Sequence, residues 1–519
     1  MSAPGLLTDE ARGAWHEGMP ASLQDRSVGD AGRARPEAAP AGAKVDFRRH
    51  GVRALRAGYA SGTFTPVDAA LACRDAVARH EFDVHAWVKF DGERLQQAAG
   101  LAAARIARGE PLRALEGVPV GVKDIFNTAD FPTQMGSPLW AGFTPGNDAR
   151  AVFHLKRAGA LIPGKTVTAE FAVHTLGKTL NPWAPERTPG TSSSGSAVAV
   201  AMGMVPVALG TQTAGSIVRP ASFTGVWGMK PSFGLIPRTG MLKTTDSLDT
   251  VGFFVGHAED LGPVLDALRV DGRDYPLSHA AFTDVQRQAA PTGRPWRVAL
   301  LRPAVWSHAP AYARQAMEGW AWLAQRTLGR RIEIFEPELP YELAECHRVH
   351  ATIYNRALAY YFKAEHERAE LVSPVMKSLI EAGLRIAPAE YEAALARQVE
   401  LARIAERFMR GFDVAVTLAT AGEAPPRHVE EAPDSALMWT LAQLPAISAP
   451  VFRSPRGLPF GLQIVARRYN DPLLLRFVAE AVRAGLLPPD AYSQPYGAAH
   501  GTEAAASAGE RAAAQRVAA

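Results

Sequence analysis

The sequence predicts one large α/β domain rather than a chain of small domains. Strand-like and helical segments alternate along most of the 519 residues, which is the pattern of a sheet packed against helices. No Pro-rich linker divides the interior. Hydrophobic residues make up 47% of the chain and charged residues 21%, so a large core can be buried. We therefore assign residues 45–495 to one domain, although length alone would also allow roughly two to four smaller ones.

The two ends of the chain differ in composition from the interior. Residues 1–44 are rich in Ala, Gly, Pro and charged residues and have no sustained period, and residues 496–519 are Ala-rich without an apolar face. Such segments cannot bury enough apolar surface to fold. We expect both to be disordered and to carry no chemistry.

In the first half of the domain, apolar spacing predicts helices and short strands in turn. Residues 66–107 are expected to form two amphipathic helices on either side of a strand at HAWVKF. An apolar strand follows at residues 117–124 (GVPVGVKD). Residues 148–158 predict a helix, with Asp148 as its N-cap and Gly159 just beyond its end. The next letters, ALIPGKT, predict a strand that ends in a turn.

The second half contains a region of small residues, then a helical region, then more strands. Residues 190–240 are rich in Gly, Ser and Thr but are interrupted by apolar segments, which indicates tight packing around a site. Residues 341–412 are strongly helical, with Leu401, Ile404 and Phe408 spaced along one face. Strands are expected at FDVAVTL, PAISAPVF and GLPFGLQIVA, and a last helix at DPLLLRFVAEAVRAG.

Charge, cysteine content and hydropathy argue against several classes of protein. Lys and Arg number 56 against 52 Asp and Glu, and the net charge of +4 gives no electrostatic footprint for nucleic acid. The two cysteines, Cys73 and Cys346, are too few for a disulfide framework and fit a reducing cytosol. We find no signal-peptide pattern and no run of about 18 apolar residues. We expect a cytoplasmic protein that binds neither nucleic acid nor membrane.

Two motifs that could bind a cofactor fail on their context. Residues 159–166 (GALIPGKT) match the phosphate-binding loop by letter, but a helix precedes them and the apolar ALI lies inside the supposed loop. Cys346, His347 and His350 could share one helical face, yet no matching carboxylate or His pair completes a metal site. We therefore expect neither a metal nor another cofactor.

Lys123 and two serine-rich loops are the strongest candidates for chemistry. Lys123 ends an apolar strand, where burial would lower its pKa and leave a neutral amine able to act as a base. The alternative is a lysine paired with the adjacent Asp124. The loops are residues 189–197 (PGTSSSGSA) and 210–222 (GTQTAGSIVRPAS). Their small residues would let backbone N–H groups converge as in an oxyanion hole, although each loop alone could be a plain turn.

Together with these loops, an ordered series of motifs resembles the amidase signature enzymes. The resemblance covers about residues 50–490 and is most specific from 117 to 252, where GVPVGVKD, PGTSSSGSAVAVAMG, GTQTAGSIVRPASFTGVWGMKP and SLDTVG follow one another. Gln212, Ala214 and Arg219 depart from the usual pattern as the malonamidase-like branch does. The resemblance implies a central mixed β-sheet covered by helices.

The resemblance also implies a catalytic triad of Ser216, Ser192 and Lys123. Ser216 would attack the amide carbonyl, and Ser192, in a cis peptide unit with Thr191, would relay its proton. Lys123 would act as general base. Three serines at 192–194 compete for the middle place, and the 24-residue separation from Ser216 selects Ser192. The oxyanion would lie against four backbone N–H groups, those of Thr213, Ala214, Gly215 and Ser216.

Substrate preference is expected to depend on Arg219 and on the helical region. The Arg219 guanidinium could clamp a substrate carboxylate, or it could pair with an acidic side chain and brace the loop. Both interpretations remain open. Residues 341–412 are expected to cover the pocket, with Tyr354, Tyr360 and Tyr361 along it.

The sequence thus predicts an amidase that hydrolyses the C–N bond of a small, linear amide through an acyl-serine intermediate. Two alternatives remain. A tRNA-dependent amidotransferase of the same family would use the same residues to release ammonia from glutamine for a misacylated tRNA, and a catalytically silent relative would only bind a ligand. The predicted partner is a small-molecule amide, and assembly as a homodimer is left open.

Overall fold

One mixed β-sheet runs through the part of the chain that the structure describes. The computed structural model describes residues 45–273, 275–433 and 436–491, and within them eleven strands form this sheet. The expectations for residues 1–44 and 496–519 concern segments outside the described residues. The strands are β1 (Trp87–Phe90), β2 (Val120–Lys123), β3 (Gly164–Thr166), β4 (Val207–Gln212), β5 (Trp227–Lys230), β6 (Thr250–Val255), β7 (Trp296–Leu300), β8 (Ile332–Phe335), β9 (Val414–Leu418), β10 (Ala446–Arg453) and β11 (Pro459–Val465).

Helices precede, connect and follow these strands. The described residues contain α1 (Val52–Ser61), α2 (Pro66–Val84), α3 (Gly92–Ala107), α4 (Arg150–Arg157), α5 (Ser194–Ala201), α6 (Val218–Thr224), α7 (Leu261–Leu268), α8 (Pro276–Thr283), α9 (Val285–Gln288), α10 (Ala311–Leu328), α11 (Cys346–Tyr361), α12 (Lys363–Glu367), α13 (Pro374–Leu384), α14 (Pro388–Met409), α15 (Ala436–Leu441) and α16 (Asp471–Arg483).

The order of the strands combines parallel and antiparallel pairs. From one edge to the other it is β1-β3-β2-β4-β6-β5-β10-β11-β9-β7-β8. β3, β2 and β4 run parallel to one another, as do β9, β7 and β8. The pairs between these two groups, and the β1 pair at the edge, are antiparallel. The prediction of an α/β fold with a central mixed sheet is confirmed.

The middle strands are buried on both faces. Every residue of β4, β6 and β11 is buried, which explains why these strands are continuous runs rather than alternating patterns. Every residue of α5 and α6 is buried as well. Both helices belong to the small-residue region 190–240, and its short side chains let backbones approach closely. The tight packing predicted for this region is confirmed.

The helix predicted to have Asp148 as its N-cap begins later. α4 begins at Arg150, and its N-cap residue Ala149 makes no side-chain cap bond. The Asp148 carboxylate instead lies 2.9 Å from Lys156 Nζ. The N-cap prediction is therefore wrong, because a cation near the end of the same helix binds the carboxylate. Gly159 follows the helix with φ +93°, as predicted.

The letters GALIPGKT do not form a phosphate-binding loop. Gly164, Lys165 and Thr166 make up β3, so the strand predicted here lies after the turn rather than before it. A Cβ at Gly164 would lie 2.0 Å from the carbonyl oxygen of Lys89 on β1, so only glycine fits this strand pair. Lys165 is buried, and its Nζ lies 3.0 Å from Asp124 Oδ1. It forms an interior ion pair rather than a phosphate site.

The region 341–412 is helical, as predicted, and contributes α11, α13 and α14. On α14, Leu401 is buried in an apolar cluster, and Ile404 and Phe408 pack partly buried against the same cluster. No helix in the described parts of the chain is long and apolar enough to cross a membrane.

Candidate active site

Two parallel strands carry the candidate residues to the same edge of the sheet. Lys123 is the last residue of β2, and β4 ends at Gln212, shortly before Ser216. β2 and β4 pair in parallel, with Val122 opposite Leu209. Because parallel strands end at a common edge, Lys123 and the loop after β4 lie together there.

Lys123 is fully buried among hydroxyl groups. Its Nζ donates to Ser192 Oγ at 2.9 Å, to Ser193 Oγ at 3.0 Å and to Thr211 Oγ1 at 2.9 Å. The side chain is 0% exposed. Burial lowers the pKa of Lys123 to about 7, against a weaker opposing effect of the Asp249 charge. A neutral amine is therefore accessible near neutral pH.

The adjacent carboxylate, Asp124, pairs with Lys165 at 3.0 Å. Successive residues along a strand point to opposite faces, so Asp124 is directed toward β3 while Lys123 is directed toward the serine loop. The alternative of a Lys123–Asp124 pair is therefore not what the geometry favours.

Ser192 lies in the loop before α5, with its hydroxyl toward Lys123. The peptide bond between Thr191 and Ser192 is cis, as the resemblance implies. Ser192 Oγ accepts from Lys123 Nζ, and no second hydrogen bond to this oxygen occurs in the described parts of the chain. The proton of the Ser192 hydroxyl is therefore available for donation.

The two serines after it have different surroundings. Ser193 Oγ donates to the carbonyl oxygen of Thr211 at 3.2 Å and accepts the Thr211 N–H at 3.3 Å, so its proton is engaged by the backbone. Ser194 Oγ is buried and has no hydrogen-bond partner among the described residues. Of the three competing serines, Ser192 alone combines contact with Lys123 and an uncommitted proton within the described structure.

Asp249 anchors the start of the loop that carries Ser216. One of its carboxylate oxygens accepts the Thr213 hydroxyl at 2.7 Å, and the other accepts the N–H groups of Thr244 and Thr245 at 2.8 and 3.0 Å. The sequence motif SLDTVG contains this aspartate, but nothing in the motif indicates its partner 36 residues away.

Gln212 and Thr440 hold the rest of the loop. Gln212 Oε1 accepts the N–H groups of Ile217 and Val218 at 2.9 and 3.0 Å, so a neutral amide satisfies donors at the start of α6. Thr440 Oγ1 donates to the carbonyl oxygen of Ala214 at 2.8 Å. The departure from the usual Asp at Gln212 thus leaves the loop well anchored.

The loop presents a row of backbone N–H groups. Within the described structure, the N–H groups of residues 213–216 donate to no protein acceptor, and Ser216 is only 7% exposed. Buried N–H groups are normally paired. Four successive groups without a partner in this part of the chain are a candidate site for a developing negative charge.

His350 of α11 binds the same loop, a contact that the sequence does not predict. Its Nε2 lies 2.9 Å from the carbonyl oxygen of Thr213, so this nitrogen carries the proton. Tyr354, one turn further on, is buried, whereas Tyr360 is 77% exposed. Within the described residues no group of three or more His, Cys, Asp or Glu side chains could hold a metal ion.

Arg219 is buried at the start of α6 and pairs with an acid. Its Nη1 lies 2.6 Å from Glu431 Oε2 and 3.4 Å from Thr191 Oγ1. The same carboxylate accepts the hydroxyl of Thr188 at 2.9 Å. The pair therefore braces the loop that contains the cis peptide, which is the structural interpretation of Arg219; sequence reasoning could not name Glu431, which is 212 residues away.

The mixed sheet, with a buried lysine and two serine loops at its edge, is the architecture of an amidase-signature protein. The chain belongs to the amidase family, since the Amidase family model matches residues 68–475.

Comparison with known proteins extends the match over most of the chain. The GatA-type polypeptide of the glutamyl-tRNA(Gln) amidotransferase of Deinococcus radiodurans is 33% identical over 472 residues, which are 82% of this chain and 95% of that protein. A solved vestigial protein complex, tied to the origins of an s-triazine catabolic enzyme, contains a chain with a TM-score of 0.75 and 26% identity, covering 85% of this chain and 100% of that one. A peptide amidase bound to the competitive inhibitor chymostatin has a TM-score of 0.72 and 26% identity, covering 86% and 100%.

Proposed function

We propose that this protein hydrolyses the C–N bond of a small-molecule amide through an acyl-Ser216 intermediate. The observation that carries the proposal is the environment of Lys123, a fully buried amine 2.9 Å from the Ser192 hydroxyl with a pKa of about 7. A base of that pKa is half neutral at neutral pH, where general base catalysis is most effective.

In this mechanism a proton moves through Ser192. Neutral Lys123 accepts the proton of Ser192 Oγ, Ser192 accepts the proton of Ser216 Oγ, and Ser216 attacks the amide carbon. The N–H groups of residues 213–216 stabilise the oxyanion. The proton returns through Ser192 to the departing nitrogen, and water then hydrolyses the ester, releasing the acid and restoring Ser216.

The Arg219–Glu431 pair bears on the choice of substrate. A substrate carboxylate at Arg219 would compete with Glu431, whose oxygen already lies 2.6 Å from Nη1. An amide without a carboxylate needs no such exchange. We therefore propose that Arg219 acts on substrates mainly by holding the Thr191–Ser192 loop, and that Arg219→Ala lowers turnover of acidic and neutral amides alike; a selective loss of acidic amides would instead make Arg219 a carboxylate clamp.

The relatives support a second candidate function. Glutamyl-tRNA(Gln) amidotransferase polypeptides of the GatA type match 82% of this chain at 30% and 33% identity. A protein of that kind would release ammonia from glutamine. Ammonia release from glutamine by the purified chain, with no turnover of other small amides, would favour this candidate over a general amidase.

Covalent labelling tests the nucleophile directly. A fluorophosphonate probe should label the wild-type chain at Ser216, and Ser216→Ala should give no adduct. Lys123→Ala and Ser192→Ala should abolish amide turnover, whereas Ser194→Ala is the matched control, because its buried hydroxyl has no partner within the described structure. A wild-type chain that forms no adduct would be the catalytically silent relative, and full activity in Lys123→Ala would refute the mechanism.

A further inference from the structure

A groove separate from the candidate active site lies along one face of α14. Its volume is about 700 Å³, within the range of roughly 300–1,000 Å³ that small-ligand sites occupy. The helix contributes one row of side chains, and the opposite wall comes from the segments around Arg287 and Arg468. None of the proposed triad residues lines it. The lining residues are Ser247, Arg287, Leu395, Gln398, Val399, Ala402, Arg403, Glu406, Arg407, Arg410, Ala442, Gln443, Arg468 and Tyr469.

The charge of this groove is strongly positive and largely uncompensated. Five of its lining residues are arginines and one is a glutamate. That glutamate, Glu406, is already engaged by Arg467, whose Nη2 lies 2.7 Å from its carboxylate. Arg403, Arg407 and Arg410 are exposed and form no ion pair in the described parts of the chain. Clustered cations without counter-charges repel one another, so an anion bound among them would lower the free energy.

The far wall also contains cationic and polar groups that protein acceptors leave unsatisfied. The Arg287 guanidinium binds neutral oxygens, those of the Asn470 side chain and the Arg468 backbone. Burial, together with the nearby Arg467 charge, lowers the pKa of Arg287. Arg468 Nε and Ser247 Oγ are buried and have no hydrogen-bond partner among the described residues.

The spacing of the arginines defines the shape of the missing anion. Arg403, Arg407 and Arg410 follow one another along α14 and its end, and a rise of about 1.5 Å per residue spreads them over roughly 10 Å. A guanidinium fork fits the oxygens of phosphate bidentately. Above this row, Leu395, Val399 and Ala402 form an apolar strip. The groove is thus basic at one end and apolar at the other.

We propose that the groove binds a small molecule that carries two or more phosphate groups, with the phosphates on Arg403, Arg407, Arg410 and Arg468. The apolar strip takes the rest of such a ligand. This site does not depend on the proposed amidase activity, because its residues take no part in that chemistry.

Calorimetric titration of the full chain with inorganic tripolyphosphate tests the proposal. We expect saturable binding at one site per chain in about 0.1 M salt, where surface charges are already screened beyond about 10 Å. Arg403→Gln combined with Arg407→Gln should weaken binding at least tenfold. Both side chains are exposed, so the variant should fold, and its thermal melting curve verifies this. The matched control is Arg314→Gln, an exposed helical arginine outside the groove, which should bind like the wild type.

Three outcomes would overturn the proposal. Tripolyphosphate could fail to bind, or the double variant could bind as tightly as the control. The chain could also bind bulk tRNA or phosphatidylserine vesicles through these arginines while ignoring tripolyphosphate, which would make the groove part of a surface for a macromolecule or a membrane.

Discussion

Replacing Thr211 by valine should shift the pH dependence of the proposed amidase to lower pH. Thr211 Oγ1 accepts a hydrogen bond from Lys123 Nζ at 2.9 Å, and valine keeps the shape while removing the acceptor. A hydrogen bond to a charged group contributes about 1.5–3 kcal/mol and one between neutral groups about 0.5–1.5 kcal/mol. The protonated form of Lys123 therefore loses roughly 1.4 kcal/mol more than the neutral form, which lowers its pKa by about one pH unit.

The measurement is kcat/KM for one amide between pH 5 and 9. In the wild type, activity requires the neutral amine, so it should rise with pH, reach half its plateau near the Lys123 pKa of about 7, and then level off. In Thr211→Val the midpoint should lie about one pH unit lower. Ser194→Ala is the control, with an unchanged midpoint. A midpoint that moves upward, or a wild-type profile that is flat across this range, would refute the assignment of Lys123 as base.

Further predictions concern stability and are measured by urea unfolding. Gly164→Ala should lower the free energy of unfolding by about 2 kcal/mol or more, because its Cβ would meet the Lys89 carbonyl oxygen at 2.0 Å. Gly100→Ala, in α3 with nothing within 4 Å of the added Cβ, should raise it by about 0.5–1 kcal/mol; equal effects at both glycines would contradict the strand pairing. Glu431→Gln should cost about 2 kcal/mol, because the charge-assisted bond to buried Arg219 is weakened, and an unchanged stability would argue against the brace.

Local sequence patterns are enough to predict the elements that support the site. The strand ending in Lys123 is apolar throughout, and the helical face of Leu401 has the correct period, so both follow from spacing alone. The N-cap at Asp148 fails because a local pattern cannot weigh a competing cation, here Lys156. The strand predicted before Gly164 lies too early in the chain, because the apolar letters before the turn outweigh the backbone approach that requires the glycine.

The groups that surround the candidate site are harder to predict. Thr211 binds Lys123 across 88 residues of sequence, His350 binds the loop at Thr213 across 137, and Glu431 binds Arg219 across 212. No local period encodes such pairings, because they arise only when the sheet order brings distant strands and helices together. The family resemblance supplies the triad candidates, whereas the choice of Ser192 over its neighbours gains physical support only from the hydrogen bonds around each hydroxyl.

Comparison of three buried lysines shows why a lowered pKa alone does not identify a base. Lys123, Lys165 and Lys230 are all 0% exposed, and burial lowers the pKa of Lys230 to about 7, as it does for Lys123. Lys230 donates to the carbonyl oxygens of Pro231 and Leu444, which accept hydrogen bonds but have no proton to give. Lys165 donates to backbone carbonyls and pairs with a carboxylate. Lys123 alone of the three is surrounded by hydroxyl groups, and a hydroxyl can both accept and donate. A proton can therefore pass through Ser192 to Lys123 and back, whereas the other two lysines can only hold theirs.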